Sequence, residues 1–223
     1  MFLIKSATYI QKNWALAWPL AFNALLVQSM LLIDTYLVAP LGELPVAAMG
    51  IAATIVAFVL GIEIAIGNGI QLLVGRAVGS NSRADLAVAY WSGLFINSVT
   101  SLVFLFVLHF FGTEIVSFIT DDAELTKLTE SYLSITKYIV LLTAYTQVCT
   151  AFCNGNGKTQ VPLKGFMIEL PVNALLSYVL INGLGEYQGL GLEGAAWGSL
   201  VAVLLRTIFL YVALKIDSEV DLI

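Results

Sequence analysis

Residues 13–33, NWALAWPLAFNALLVQSMLLI, separate Lys12 from Asp34 without a single charged side chain. An uncharged apolar run of about 20 residues matches one helical crossing of a bilayer. It is longer than the apolar core of a secretory signal, about 7–15 residues, and no A-x-A-like site closes it, so it reads as a span and not a leader. The run continues as Leu31-Leu32-Ile33-Asp34-Thr35-Tyr36-Leu37-Val38, with one carboxylate in apolar company. An Asp at the middle of a membrane helix costs about 3 kcal/mol on insertion scales, and less toward an interface. Asp34 is therefore either a cap at the headgroup boundary or a carboxylate with a task.

The rest of the chain resembles this first run. Of its 223 residues 59% are hydrophobic and 11% charged, against about a quarter charged in an average soluble domain. The fold class expected is all-α: a polytopic membrane protein made of one six-helix lobe over residues 1–223. Apolar runs broken by Gly, Pro and charge place helices at about 14–38, 45–72, 85–111, 125–153, 160–182 and 191–214, each long enough to cross with some tilt. The intervening segments, including acidic Gly112 to Glu124 and Gly183 to Gly191, read as loops.

Six crossings put both termini on one side, and positively charged loops stay in the cytoplasm. Lys5, Lys12, Arg76, Arg83, Lys158, Lys164 and Lys215 share the side of the termini. The opposite side has Lys127 against Glu43, Glu114, Asp121, Asp122, Glu124, Glu186 and Glu193. Both termini are thus expected in the cytoplasm and the protein in the plasma membrane. Lys137 and Arg206 fall inside segments four and six, where a cation snorkels or pairs with a carboxylate. The net charge of −5 and the lack of any run of five Lys or Arg residues argue against a nucleic-acid partner. The bilayer is the partner that the spans require. Cys149 and Cys153, spaced i,i+4, suit buried small hydrophobes better than a disulfide framework or a zinc set.

Polar residues inside the spans are the candidates for function. Asn23 and Asp34, eleven residues apart, return to nearly the same face of one helix about 16 Å apart along its axis. Pro19 removes a backbone hydrogen bond and marks a bending point. In segment five, Glu169, Asn173 and Ser177 follow at i,i+4,i+8 and stack three oxygen-bearing side chains on one stripe. Such a stripe is either inter-helix glue, worth roughly 0.6 to 2 kcal/mol per contact, or half of a site for a proton or hard cation. Glu63 in segment two is the second carboxylate to watch. Gln28, Asn97 and Gln147 add amides that serve packing or a polar cleft. Glycines 61, 67, 69 and 75 read first as close-packing positions.

Catalytic motifs are missing. Asn154-Gly155-Asn156-Gly157-Lys158-Thr159 ends like a P-loop, but Phe152 stands where its first glycine belongs. No HExxH, G-x-S-x-G or metal-spaced His or Cys cluster occurs. An enzyme is not expected, nor is a cofactor.

Several segments together resemble the multidrug and toxic compound extrusion (MATE) transporters. These are Trp18-Pro19-Leu20, Ile33-Asp34-Thr35, Leu41-Gly42 with Ala47-Ala48, Gln71 with Gly75-Arg76-Ala77-x-Gly79, and Asn154-Gly155-x-Gly157-Lys158-Thr159-x-x-Pro162. They continue with Asn173, Leu180-Ile181-Asn182-Gly183 and Gly189-Leu190-Gly191-Leu192-Glu193-Gly194-Ala195-Ala196. The resemblance covers essentially the whole chain but corresponds to the first of the family's two six-helix lobes. It implies antiport of amphipathic organic cations against H+ or Na+. It further implies that Asp34 is the ion-coupling carboxylate, that Asn173, Ser177 and Ser199 lie beside it, and that Pro19 is the bending position. A Na+ ion would then sit at Asp34 and Asn173. Asn23, Gln28, Glu63 and Gln147 are candidates for a polar cargo cleft. Gln28 stands where archaeal members carry a second first-helix Asp, and Ser177 where others carry Asp or Asn, which leaves the site with fewer formal charges.

A central cleft needs a second lobe, from another copy of the chain or from another polypeptide, and a half-length or truncated form of a two-lobe transporter is the other expectation. Two alternatives follow from the same residues. A lipid-linked saccharide flippase of the same superfamily would need several basic residues to hold pyrophosphate, and only Lys137 and Arg206 lie within segments. A non-transporting membrane interaction subunit would use the polar stripes only as glue.

Overall fold

The computed structural model describes residues 2–185 and 187–216, with side chains from Tyr9 to Gly185 and from Gln188 to Ile216. The charges assigned above to Lys5 and Glu186 lie outside the described side chains. Among the described residues eight α-helices follow in order: α1 (Phe2–Val38), α2 (Glu43–Gly79), α3 (Arg83–Phe110), α4 (Gly112–Ile119), α5 (Ala123–Thr136), α6 (Ile139–Gly155), α7 (Gln160–Asn182) and α8 (Leu192–Ile216), with a 3-10 turn, Ala39–Leu41, between α1 and α2. A two-residue antiparallel hairpin, β1 (Gly183–Leu184) and β2 (Tyr187–Gln188), links α7 to α8. Among the described residues five helices are long and apolar enough to cross a membrane, and α6 is a shorter apolar helix.

The ends of the helices have local causes. Ser82 caps α3 by accepting from the Asp85 N–H at 3.3 Å, and Asp122 caps α5 by accepting from Glu124 and Leu125 at 2.9 and 3.1 Å. Both satisfy backbone donors that a helix start leaves without partners. Asn81, at φ 54°, turns the chain from α2 into α3; Asn adopts this left-handed conformation more readily than most residues.

The structure revises two expectations. The fourth span, expected at about 125–153, is divided between α5 and α6. Lys137 and Tyr138 keep right-handed helical angles, but the bonds Tyr138 N–H to Ile135 and Leu141 N–H to Tyr138 skip back three residues, not four. That tighter turn interrupts the helix without reversing the chain. The acidic segment Gly112 to Glu124, expected as a loop, contains α4, whose Val116 is fully buried.

Two apolar clusters form the core. One joins Val38, Met49, Val56, Val59, Tyr132 and Ala195, and the other joins Ile70, Val74, Tyr90, Phe152 and Leu210. Cys149 and Cys153 are buried in the second cluster. Helix α1 stands apart: it lies mainly along α7, with Trp14, Leu32 and Tyr36 about 70% or more exposed. Pro19 is a buried exception, inside the helix, where the missing N–H leaves the Ala15 carbonyl without its usual donor.

Glycine sets the closest helix pair. A Cβ at Gly198 would stand 2.7 Å from the Ser177 nitrogen, and one at Gly194 2.6 Å from the Ile181 nitrogen. Gly194 and Gly198 are one turn apart, so α8 lays a G-x-x-x-G face on the α7 backbone. Ser199, the next residue, is turned 100° further round the helix.

Candidate functional site

That rotation points Ser199 at the junction of α1 and α7. Ser199 Oγ donates to Asp34 Oδ2 at 3.3 Å and accepts from Asn173 Nδ2 at 2.9 Å. Asp34 is 7% exposed, Ser199 5%, and Asn173 and Ser177 are fully buried. Asp34 is thus enclosed within the lobe, against α7 and α8. Three oxygens in this group are buried without a hydrogen-bond partner: Asp34 Oδ1, Asn173 Oδ1 and Ser177 Oγ. An oxygen-rich group with unsatisfied acceptors suits a proton or a hard monovalent cation.

The stripe on α7 is divided between two tasks. One turn before Asn173, Glu169 Oε2 accepts from Arg206 Nη1 of α8 at 2.8 Å, and both side chains are buried. Arg206 also donates to Thr146 Oγ1 at 2.9 Å and lies 4.1 Å from the Phe166 ring centre. Gly165 makes room, since a Cβ there would stand 3.2 Å from Arg206 Cγ. Among the described residues Arg206 is the buried basic side chain, and its charge is committed to Glu169. Asp34 has hydroxyl and amide neighbours instead.

Glu63 does not join either group. Fully buried, its Oε2 accepts from Thr143 Oγ1 of α6 at 2.8 Å, which places it between α2, α3 and α6 and not in a cleft beside α1. Of the remaining cleft candidates, Gln28 is exposed, while Asn23 and Gln147 are half-buried. Asn23 Oδ1 is buried without a partner, on the helix that carries Asp34.

Asp34, Asn173 and Ser177 lie on the helices that the hydropathy pattern predicts, whereas the pairs Arg206–Glu169 and Thr143–Glu63 join residues far apart in sequence. The G-x-x-x-G of α8 was a visible signal for the α7 contact that positions Ser199.

The sequence profile of the MatE family matches residues 19–179. This stretch runs from the bending proline past Asn173 and covers well over half of the chain. The chain belongs to the MatE family. It is 22% identical over 175 residues to "Probable multidrug resistance protein YoeA" of Bacillus subtilis, covering 78% of this chain and 38% of that protein. It is 23% identical over 204 residues to "Protein DETOXIFICATION 30" of Arabidopsis thaliana, covering 90% and 41%. Among solved structures, a MATE protein in the bent conformation superposes with a TM-score of 0.85 at 17% identity, covering 94% of this chain and 47% of that one. The Vibrio cholerae MATE transporter VcmN in the bent form gives 0.83 at 20% identity, covering 94% and 47%. This MatE chain spans less than half the length of these relatives, and the superpositions show a shared all-α membrane fold.

Proposed function

We propose that this chain is the first lobe of a secondary active efflux antiporter, not an enzyme, which exports amphipathic organic cations in exchange for entering H+ or Na+. The observation that carries the reading is the Asp34–Ser199–Asn173 group, with its unfilled buried oxygens and no basic side chain bonded to it. Asp34 binds the proton or, with Asn173, Ser177 and Ser199, the Na+ ion. Neutralising the carboxylate changes the cost of its burial, so the conformation in which Asp34 is enclosed becomes favoured over one in which it is hydrated. Because α1 is long, carries Pro19 and packs mainly on α7, it is the element that responds, bending near Pro19. That movement weakens the hold on cargo in a cleft reached by Asn23, Gln28 and Gln147. No organic cofactor takes part.

The exposed apolar face of α1 supports a second six-helix lobe as partner, from another copy or a separate chain, in a plasma membrane with both termini cytoplasmic. The multidrug resistance names of the relatives support drug-like cargo. The flippase alternative is weakened by Arg206, whose charge is held by Glu169, and by Lys137, whose Nζ lies 3.2 Å from His109 Nδ1. The interaction-subunit alternative is weakened by the unfilled oxygens, which glue would have paired. Transport by the complete two-lobe assembly in liposomes, with pH and sodium gradients imposed separately, tests the proposal. Asp34→Asn is expected to abolish coupled export; unchanged coupling in that variant would overturn it.

A further inference from the structure

Glu63 shares the chemistry of Asp34 in a different part of the lobe. Around it, α3 contributes Asn97 and Ser101, one turn apart, and α6 contributes Thr143. Glu63, Asn97 and Ser101 are fully buried, and Thr143 is 5% exposed. Thr143 Oγ1 donates to Glu63 Oε2 at 2.8 Å, and Asn97 Nδ2, one turn from Ser101, donates to the Ala144 carbonyl at 3.3 Å. Glu63 Oε1, Ser101 Oγ and Asn97 Oδ1 are all buried without a hydrogen-bond partner. The Ser101 hydroxyl has one proton to give, so it cannot satisfy the open carboxylate and amide oxygens together, and no positive charge balances Glu63. Inter-helix glue pairs its donors with its acceptors, whereas this junction has oxygen acceptors left over and no countercharge.

No charged side chain of the packed elements supplies one. On α3, Arg83 and Asp85 sit at the opposite end of the helix from His109, and His109 meets Lys137. On α5, Glu130 lines a surface cleft with His109 and Lys137, Lys127 lines another with Asp121, and Tyr132 is buried in the first apolar cluster. On α6, Tyr145 packs against the second apolar cluster. On α1, Asp34 is bonded to Ser199.

We propose that Glu63, Ser101, Asn97 and Thr143 form a second binding site for one monovalent hard cation, a proton or Na+, at the junction of α2, α3 and α6. A proton on Oε1 gives the carboxyl a donor for the open Ser101 or Asn97 oxygen. A Na+ ion would instead draw its oxygen ligands from these side chains. Either neutralises the carboxylate, and neither uses Asp34, so this site stands independently of the coupling role proposed above.

The test is infrared difference spectroscopy of the purified full chain in lipid nanodiscs, with H+ and Na+ as the probes. One arm steps the pH without sodium, and the other adds Na+ at fixed pH. The wild type is expected to show two separable carboxyl signals, one lost in Glu63→Gln and the other in Asp34→Asn. Loss of the Glu63 signal in the pH arm alone identifies a proton site; loss in both arms identifies Na+ competing with the proton. Ser101→Ala keeps Glu63 and is expected to shift its band, which decides the matter if Glu63→Gln does not fold. A single carboxyl signal that disappears with Asp34→Asn, or spectra unchanged in both Glu63→Gln and Ser101→Ala, would overturn the proposal.

Discussion

Asp34 on α1 and Glu169 on α7 are both buried carboxylates that meet α8, yet their neighbours differ in kind. Glu169 faces the Arg206 guanidinium at 2.8 Å, while Asp34 meets a Ser199 hydroxyl at 3.3 Å and has an open second oxygen. A carboxylate held by a fixed cation has its countercharge built in, and neutralising it leaves the cation uncompensated. A carboxylate held by neutral groups can take up a mobile cation without that penalty. The comparison separates a structural charge from one suited to exchange, although both lie on or against the same stripe of α7.

The largest effect is expected from breaking the built-in pair. Glu169→Gln strands Arg206, and loss of one partner of a buried pair costs about 3–5 kcal/mol. Reversible unfolding in micelles should show it, and Glu169→Leu combined with Arg206→Met should recover most of the loss. Full stability of Glu169→Gln alone would erase the distinction between the two carboxylates. Next comes Gly198→Leu, whose side chain meets the Ser177 backbone. Overpacking of this kind costs roughly 1–3 kcal/mol, and the displaced Ser199 should also impair ion-coupled transport by the complete assembly.

Ser199→Ala removes the donor to Asp34 and is expected to cost about 1 kcal/mol in an unfolding titration, the usual scale for hydrogen bonds between membrane helices. The smallest stability change belongs to Asp34→Asn. Its amide keeps an acceptor for Ser199 and sheds a buried charge, so the change should stay within about 1 kcal/mol of wild type. A loss from Asp34→Asn as large as that from Glu169→Gln would show that Asp34 is also a structural charge.

Much of this contrast was legible before any tertiary contact was known. The i,i+4,i+8 spacing put Glu169, Asn173 and Ser177 on one face, and all three are buried. The cost of a charge in an apolar run singled out Asp34 and Glu63. The division of the stripe was not legible, because Arg206 reaches Glu169 from 37 residues away and Thr143 reaches Glu63 from 80. Those partnerships depend on which helices pack together. The interruption at Lys137–Tyr138 was hidden too, since both residues stay helical and a hydropathy pattern does not distinguish bonds to the third residue back from bonds to the fourth. Eight residues of α4 were too few for a period that stands out from an acidic segment.

By itself, the sequence determined an all-α membrane lobe, its approximate crossings and the short set of polar residues that had to face inward. These follow from transfer free energies and helical periodicity, which act locally along the chain. Only the tertiary structure decided which buried carboxylate received a cation and which received neutral donors. That choice was made by close approach of helix backbones, with Gly194 and Gly198 bringing α8 onto α7 and thereby turning Ser199 toward Asp34 and Arg206 toward Glu169.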